Sequence, residues 1–126
     1  MTDANLLEER VLEMMVSQFK DSRARYLRDQ IHSARVVRRT FTGCGFFVDI
    51  EVPETSAAVP DEPRFQLSGV CGNSPRLRHG IGFVLFVERG RLSMLEAFTY
   101  DEPWPSDLEQ IALAYAPEET GSAELG

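Results

Sequence analysis

Cysteine is scarce in this chain: Cys44 and Cys71 are the only two, and neither belongs to a C-x-x-C pair or to a Cys/His series. A structural zinc site therefore has no ligand set, and no metal or cofactor is expected. Both thiols sit among small residues, in Gly43-Cys44-Gly45 and Val70-Cys71-Gly72. In a reducing compartment they read as small semi-buried side chains rather than a disulfide. No apolar run reaches the roughly 18 residues of a membrane span. The N-terminal MTDANLLEER also lacks the basic stretch and long apolar core of a secretory signal. The expectation is a cytoplasmic protein with no membrane contact. Positive charge is in deficit too, with 13 basic against 20 acidic residues and a formal charge of −7. That balance makes nucleic acid an unfavoured partner, since such binding needs a basic surface to release counterions.

At 126 residues with 43% apolar content, one domain with its own core is expected. It divides into a helical part over 1–34, a sheet over 35–117 and a flexible polar tail over 118–126. Basic residues concentrate between Lys20 and Arg39 and acidic ones after Glu88. The arginines of the second helix lack interleaved aromatics apart from Tyr26, and no glycine-rich phosphate loop follows a strand, so they read as solvated helix surface.

Asn5 followed by Glu8 forms a capping box that starts a first helix. Leu7, Val11, Met14 and Met15 line its inner face, while Glu8, Glu9, Arg10 and Glu13 are expected to stay wet. Asp21 or Ser22 caps a second helix that turns Leu27 and Ile31 inward. The period then changes to two residues: Val36 to Thr42, Phe46 to Val52 and Phe65 to Cys71 read as strands. Gly43-Cys44-Gly45 is either a hairpin turn or a bulge. Three prolines between Glu54 and Arg64 mark a surface loop. Ser106 and Asp107 offer a cap for one helical turn, and Ile111 to Ala116 reads as a final short strand, although Leu108, Ile111, Ala112 and Tyr115 also fit a helix.

The strongest signal is a hairpin, Gly80 to Glu88 and Arg91 to Tyr100, turned at Arg89-Gly90. A regular register from that turn pairs Leu85 with Met94 and Phe83 with Glu96. It places Glu96 in an apolar stripe with Ile81, Phe83, Leu85, Val87, Leu92, Met94 and Phe98. A carboxylate there needs a partner, a proton or a wet pocket. The opposite side is also largely apolar, so both faces are expected to be covered, one by helices and the other by a loop or a second subunit. The fold class is α+β, with two N-terminal helices packed on an antiparallel sheet of five to six strands.

Beyond the hairpin, Tyr100-Asp101-Glu102-Pro103-Trp104-Pro105 sets two carboxylates beside two aromatics, stiffened by two prolines. The lone tryptophan, Trp104, serves either as a lid over the core or as an anchor for a partner. The segments FTGCGFF (41–47), HGIGFVLFV (79–87) and GRLSMLEAFTYDEPWP (90–105) resemble a family of small uncharacterised bacterial proteins with FTG-x-GFF, HG-x-GF and GRLSMLEGYTY-DEPWP-like segments. Ala97-Phe98 stands where that pattern has Gly-Tyr, and Cys44 where it has a small apolar residue. The resemblance implies a shared fold unit and adds no chemistry.

Two readings of function compete. The first is a non-catalytic protein-interaction or small-ligand-binding protein, in one version a homodimer, that uses Glu96, His79, Tyr100, Asp101, Glu102 and Trp104. The alternative is a small hydrolase or isomerase with Glu96 as general base, His79 as acid or proton shuttle and Asp101 in support.

Overall fold

The computed structural model describes residues 1–61, 63–105 and 110–116. Its first helix, α1 (Leu6–Val16), opens with the capping box: the Asn5 side chain accepts from the Glu8 amide at 2.8 Å, and the Glu8 carboxylate accepts from the Asn5 amide at 3.0 Å. Helix α2 (Arg23–Ser33) is entered differently, because Ser22 makes no side-chain cap and the Asp21 carboxylate accepts from the Arg23 amide at 3.0 Å instead. Leu27 and Ile31 turn inward as their spacing predicts, and so does Gln30, which is fully buried.

Among the described residues seven strands follow: β1 (Arg35–Phe41), β2 (Gly45–Glu51), β3 (Arg64–Leu67), β4 (Val70–Asn73), β5 (Ile81–Glu88), β6 (Arg91–Thr99) and β7 (Ala112–Tyr115). They pair antiparallel in the order β1-β2-β6-β5-β4-β7, with β3 also on β5. The α+β class holds, with more strands than the five to six expected. The difference arises at Gly69, whose φ of +101° breaks the expected Phe65 to Cys71 strand in two. Both pieces run along β5: Arg64–Leu67 pairs with Leu85–Glu88, and Cys71 and Gly72 pair with Gly82 and Ile81. At the break, the Ser68 carbonyl accepts from the Gln18 amide group and the Gly69 carbonyl from the Ala116 amide.

Gly43-Cys44 is a hairpin turn, closed by the Thr42 amide on the Gly45 carbonyl at 2.9 Å. A bulge lies elsewhere, between Val36 and Arg38. The final segment is strand β7, paired with β4. The expected Ser106-Asp107 cap and the 118–126 tail lie outside the described residues.

Both helices pack on one face of the sheet, α1 over β4 and β5 and α2 over β6. Between them and the sheet lies the core, with Val11, Leu12, Met15, Leu27, Val48, Leu85 and Leu95 almost without exposure. Glu8 departs from expectation. It is 1% exposed rather than wet, because Arg39 on β1 reaches over and bonds its carboxylate at 2.6 and 2.8 Å. This ion pair raises the already high Arg39 pKa further, chiefly through the Glu8 hydrogen bonds.

The β5–β6 turn has positive φ at both central residues, Arg89 at 54° and Gly90 at 73°, as a type I′ turn requires. A Cβ on Gly90 would stand 2.7 Å from the Val59 carbonyl oxygen and 2.9 Å from the Ala58 Cβ. Gly90→Ala is therefore expected to destabilise by about 2 kcal/mol, and Arg89→Asn to stabilise by a few tenths, both read from urea unfolding. Trp104 emission is the natural signal for these measurements.

Candidate binding face and end cleft

The hairpin keeps its turn but not a regular register. From Glu88 opposite Arg91 and Val87 opposite Leu92, pairing jumps to Phe86 opposite Met94. Ser93 is the extra residue of a β-bulge, and every later side chain of β6 changes face. Leu85 therefore pairs with Leu95, Val84 with Glu96 and Phe83 with Ala97. This corrects the expected stripe: the inner face carries Leu92, Leu95, Ala97 and Thr99, all buried, while Met94, Glu96 and Phe98 point the other way. Glu96 thus leaves the core side and stands half-buried on the outer one.

The outer face can be read row by row from the pairings. Asp49, Met94, Phe86 and Gln66 form one row; Phe47, Glu96 and Val84 the next; Gly45, Phe98, Gly82 and Cys71 the third. Five of these side chains, Phe47, Val84, Phe86, Met94 and Phe98, are apolar and half-exposed, and no helix among the described residues lies over them. Gly82 shapes the third row: a Cβ there would stand 2.4 Å from the tip of the Phe98 ring, so glycine lets that ring lie flat on the sheet. Tyr100 meets the Phe98 ring edge-on, with centroids 5.5 Å apart.

Past Phe98 and Tyr100 the face ends in an open cleft of about 950 Å³, lined by Cys71, Arg78, His79, Tyr100, Asp101, Glu102 and Ala116. Four of the sequence-predicted site residues, His79, Tyr100, Asp101 and Glu102, thus come together. Asp101 is held there in a left-handed backbone conformation, φ 62°. Glu102 is already engaged: its carboxylate accepts from the Arg78 amide at 3.0 Å and the His79 amide at 3.1 Å, clamping the Ser74–His79 loop. The Arg78 amide above all, with the His79 amide and the nearby positive charges, holds the Glu102 pKa below the ordinary 4.5.

A group whose folded pKa is depressed contributes stability above its unfolded value and loses it as pH falls through the folded one. The loop is therefore expected to loosen as pH drops below about 4.5. Protection factors of the Arg78 and His79 amides, each referred to the intrinsic exchange rate at that pH, should fall with pH in wild type and stay at the loosened level throughout in Glu102→Gln. Equal protection in both proteins at neutral pH would remove the clamp.

Two predicted site residues lie outside the cleft. Glu96 sits opposite Val84, three pairs from the Ile81–Thr99 end of the hairpin, about 10 Å into the sheet, while His79 is on the loop beyond that end. Trp104 is on the core side, edge-on to Phe46 with centroids 5.0 Å apart, its amide on the Gly43 carbonyl at 3.0 Å. That places it as a lid over the core rim, packed against the buried cluster. Thr99 ties the same corner, with its amide and hydroxyl on the Cys44 carbonyl at 2.8 and 3.0 Å and its hydroxyl also on the Glu102 carbonyl.

Both cysteines are free, Cys44 exposed and Cys71 half-buried. The row Gly45-Phe98-Gly82-Cys71 puts three strand spacings, about 14 Å, between Cys71 and the residue next to Cys44, too far for a disulfide. No group of three or more His, Cys, Asp or Glu among the described residues is arranged to hold a metal ion.

Sequence reasoning missed the bulge and, with it, the outer face as a surface. Glu96 itself was the available signal, since a charge in an apolar stripe marks a slipped register as readily as a buried site. No family model matches the chain, and neither a curated protein nor a solved structure matches it.

Proposed function

We propose that this is a non-catalytic protein-interaction protein whose contact surface is the outer face of β2, β6 and β5, bounded at one end by the Tyr100 cleft. The observation that supports the reading is the set of five half-buried apolar side chains, Phe47, Val84, Phe86, Met94 and Phe98, side by side on the sheet face opposite α1 and α2. A sheet face left apolar on its solvent side is a docking surface in waiting, because covering it recovers the hydrophobic term that folding left unused. The cleft residues Arg78, His79, Tyr100 and Asp101 supply a polar rim of the kind that borders such contacts.

The test is a selection of random linear peptides on immobilised wild-type protein, with affinities of the recovered peptides then measured by titration. Phe86→Glu, on the exposed side and so tolerated by the fold, is expected to weaken them about tenfold or more. Peptides that bind Phe86→Glu as well as wild type would contradict the assignment.

A further inference from the structure

Building on that reading, we infer that the outer face receives a segment of a partner protein that carries one arginine or lysine among apolar side chains, with the cation paired to Glu96. Glu96 stands in the middle row of that face. Its direct cross-strand neighbours are Phe47 and Val84, and its neighbours along the same side of β6 are Met94 and Phe98. It is a carboxylate ringed by apolar side chains at the middle of the face.

The other acidic residues of these strands are already neutralised. Asp49 is bonded by Arg38 at 3.0 Å, Glu51 by Arg35 at 2.9 Å and Glu88 by Arg64 at 2.9 Å. Glu96 alone among the acidic residues of β2, β5 and β6 has no ion pair or hydrogen bond with any described residue. While the face is open, water satisfies it.

Any occupant that covers the apolar ring also strips that water. A purely apolar segment would leave an unpaired charge in a dry contact, which is strongly disfavoured. A second copy fares no better: face-to-face pairing about a two-fold axis through the patch brings the two Glu96 carboxylates toward each other. A cation flanked by apolar groups satisfies both demands, and arginine does so best, because its planar head can bond the carboxylate in a fork while lying against the Phe47 and Phe98 rings. The formal charge of −7 draws such a segment in from a distance.

The same peptide selection tests this, read now for composition. Recovered sequences should share one Arg or Lys with apolar residues on both sides. Glu96→Gln should weaken them about tenfold or more, and Glu96→Arg should bind them worst and recover acidic sequences in its own selection. Circular dichroism and Trp104 emission establish that each variant is folded. Peptides that need Phe86 but carry no cation, and bind Glu96→Gln unchanged, would overturn this inference and leave the contact surface standing. Recovery of no peptide, or of peptides indifferent to Phe86→Glu, would overturn the contact surface and this inference with it. A wild-type dimer by light scattering that Phe86→Glu splits would overturn the inference in favour of a second copy.

Discussion

Gln30→Met is expected to lower stability by about 3 kcal/mol and the melting temperature by about 10 °C, although the two side chains have similar volume. The buried Gln30 amide makes three bonds. It donates to the Ala57 and Gly90 carbonyls, both at 2.9 Å, and accepts from the Leu92 amide at 3.0 Å. These partners lie on the proline-rich loop, the hairpin turn and the first residues of β6, so one side chain of α2 holds all three elements in register. Methionine would fill the space and leave the Leu92 N–H without a partner at a site where water does not reach. Unfolding in urea followed by Trp104 emission measures the loss. A change below about 1 kcal/mol would mean that the loop and turn hold themselves without the amide.

Arg39→Met is the second large effect, about 3 to 4 kcal/mol at neutral pH. It would leave Glu8, 1% exposed, without the guanidinium that accounts for two of its hydrogen bonds, and it would also free the Asp3 carbonyl that Arg39 holds at 2.5 Å. Breaking one side of a buried pair costs more than removing both, because the remaining charge is stranded. Glu8→Leu combined with Arg39→Met is therefore expected to be clearly more stable than the sum of the two single losses predicts. A double-mutant cycle with less than about 0.5 kcal/mol of coupling would show that the pair contributes little across the helix–sheet boundary.

These two interactions also mark the limit of what the sequence could reveal. Local signals were legible: the Asn5/Glu8 capping box, the inward Leu27 and Ile31, the Arg89-Gly90 turn and the change of period at Val36 all depend on residues a few positions apart. The Glu8–Arg39 pair spans 31 positions and the Gln30–Leu92 bond 62. Nothing in the local pattern announces either, so Glu8 read as wet and Gln30 as an ordinary helix residue.

Gly69 read as one member of an alternating strand, because alternation carries no record of the sign of φ. The bulge at Ser93 is the most consequential loss. One extra residue leaves composition and propensity unchanged and yet moves Met94, Glu96 and Phe98 from the core side to the open side. At the candidate site, Tyr100, Asp101 and Glu102 were legible as a polar edge, while the meeting of His79 with that edge and its separation from Glu96 follow only from the folded register.

That register carries the contact surface and the role given to Glu96, and cross-strand backbone NOEs in the β5–β6 hairpin measure it directly. Contacts of Phe86 with Met94 and of Val84 with Glu96 across the pair are the expected result. Contacts of Leu85 with Met94 and of Phe83 with Glu96 would contradict it, returning Glu96 to the core side and removing the open face.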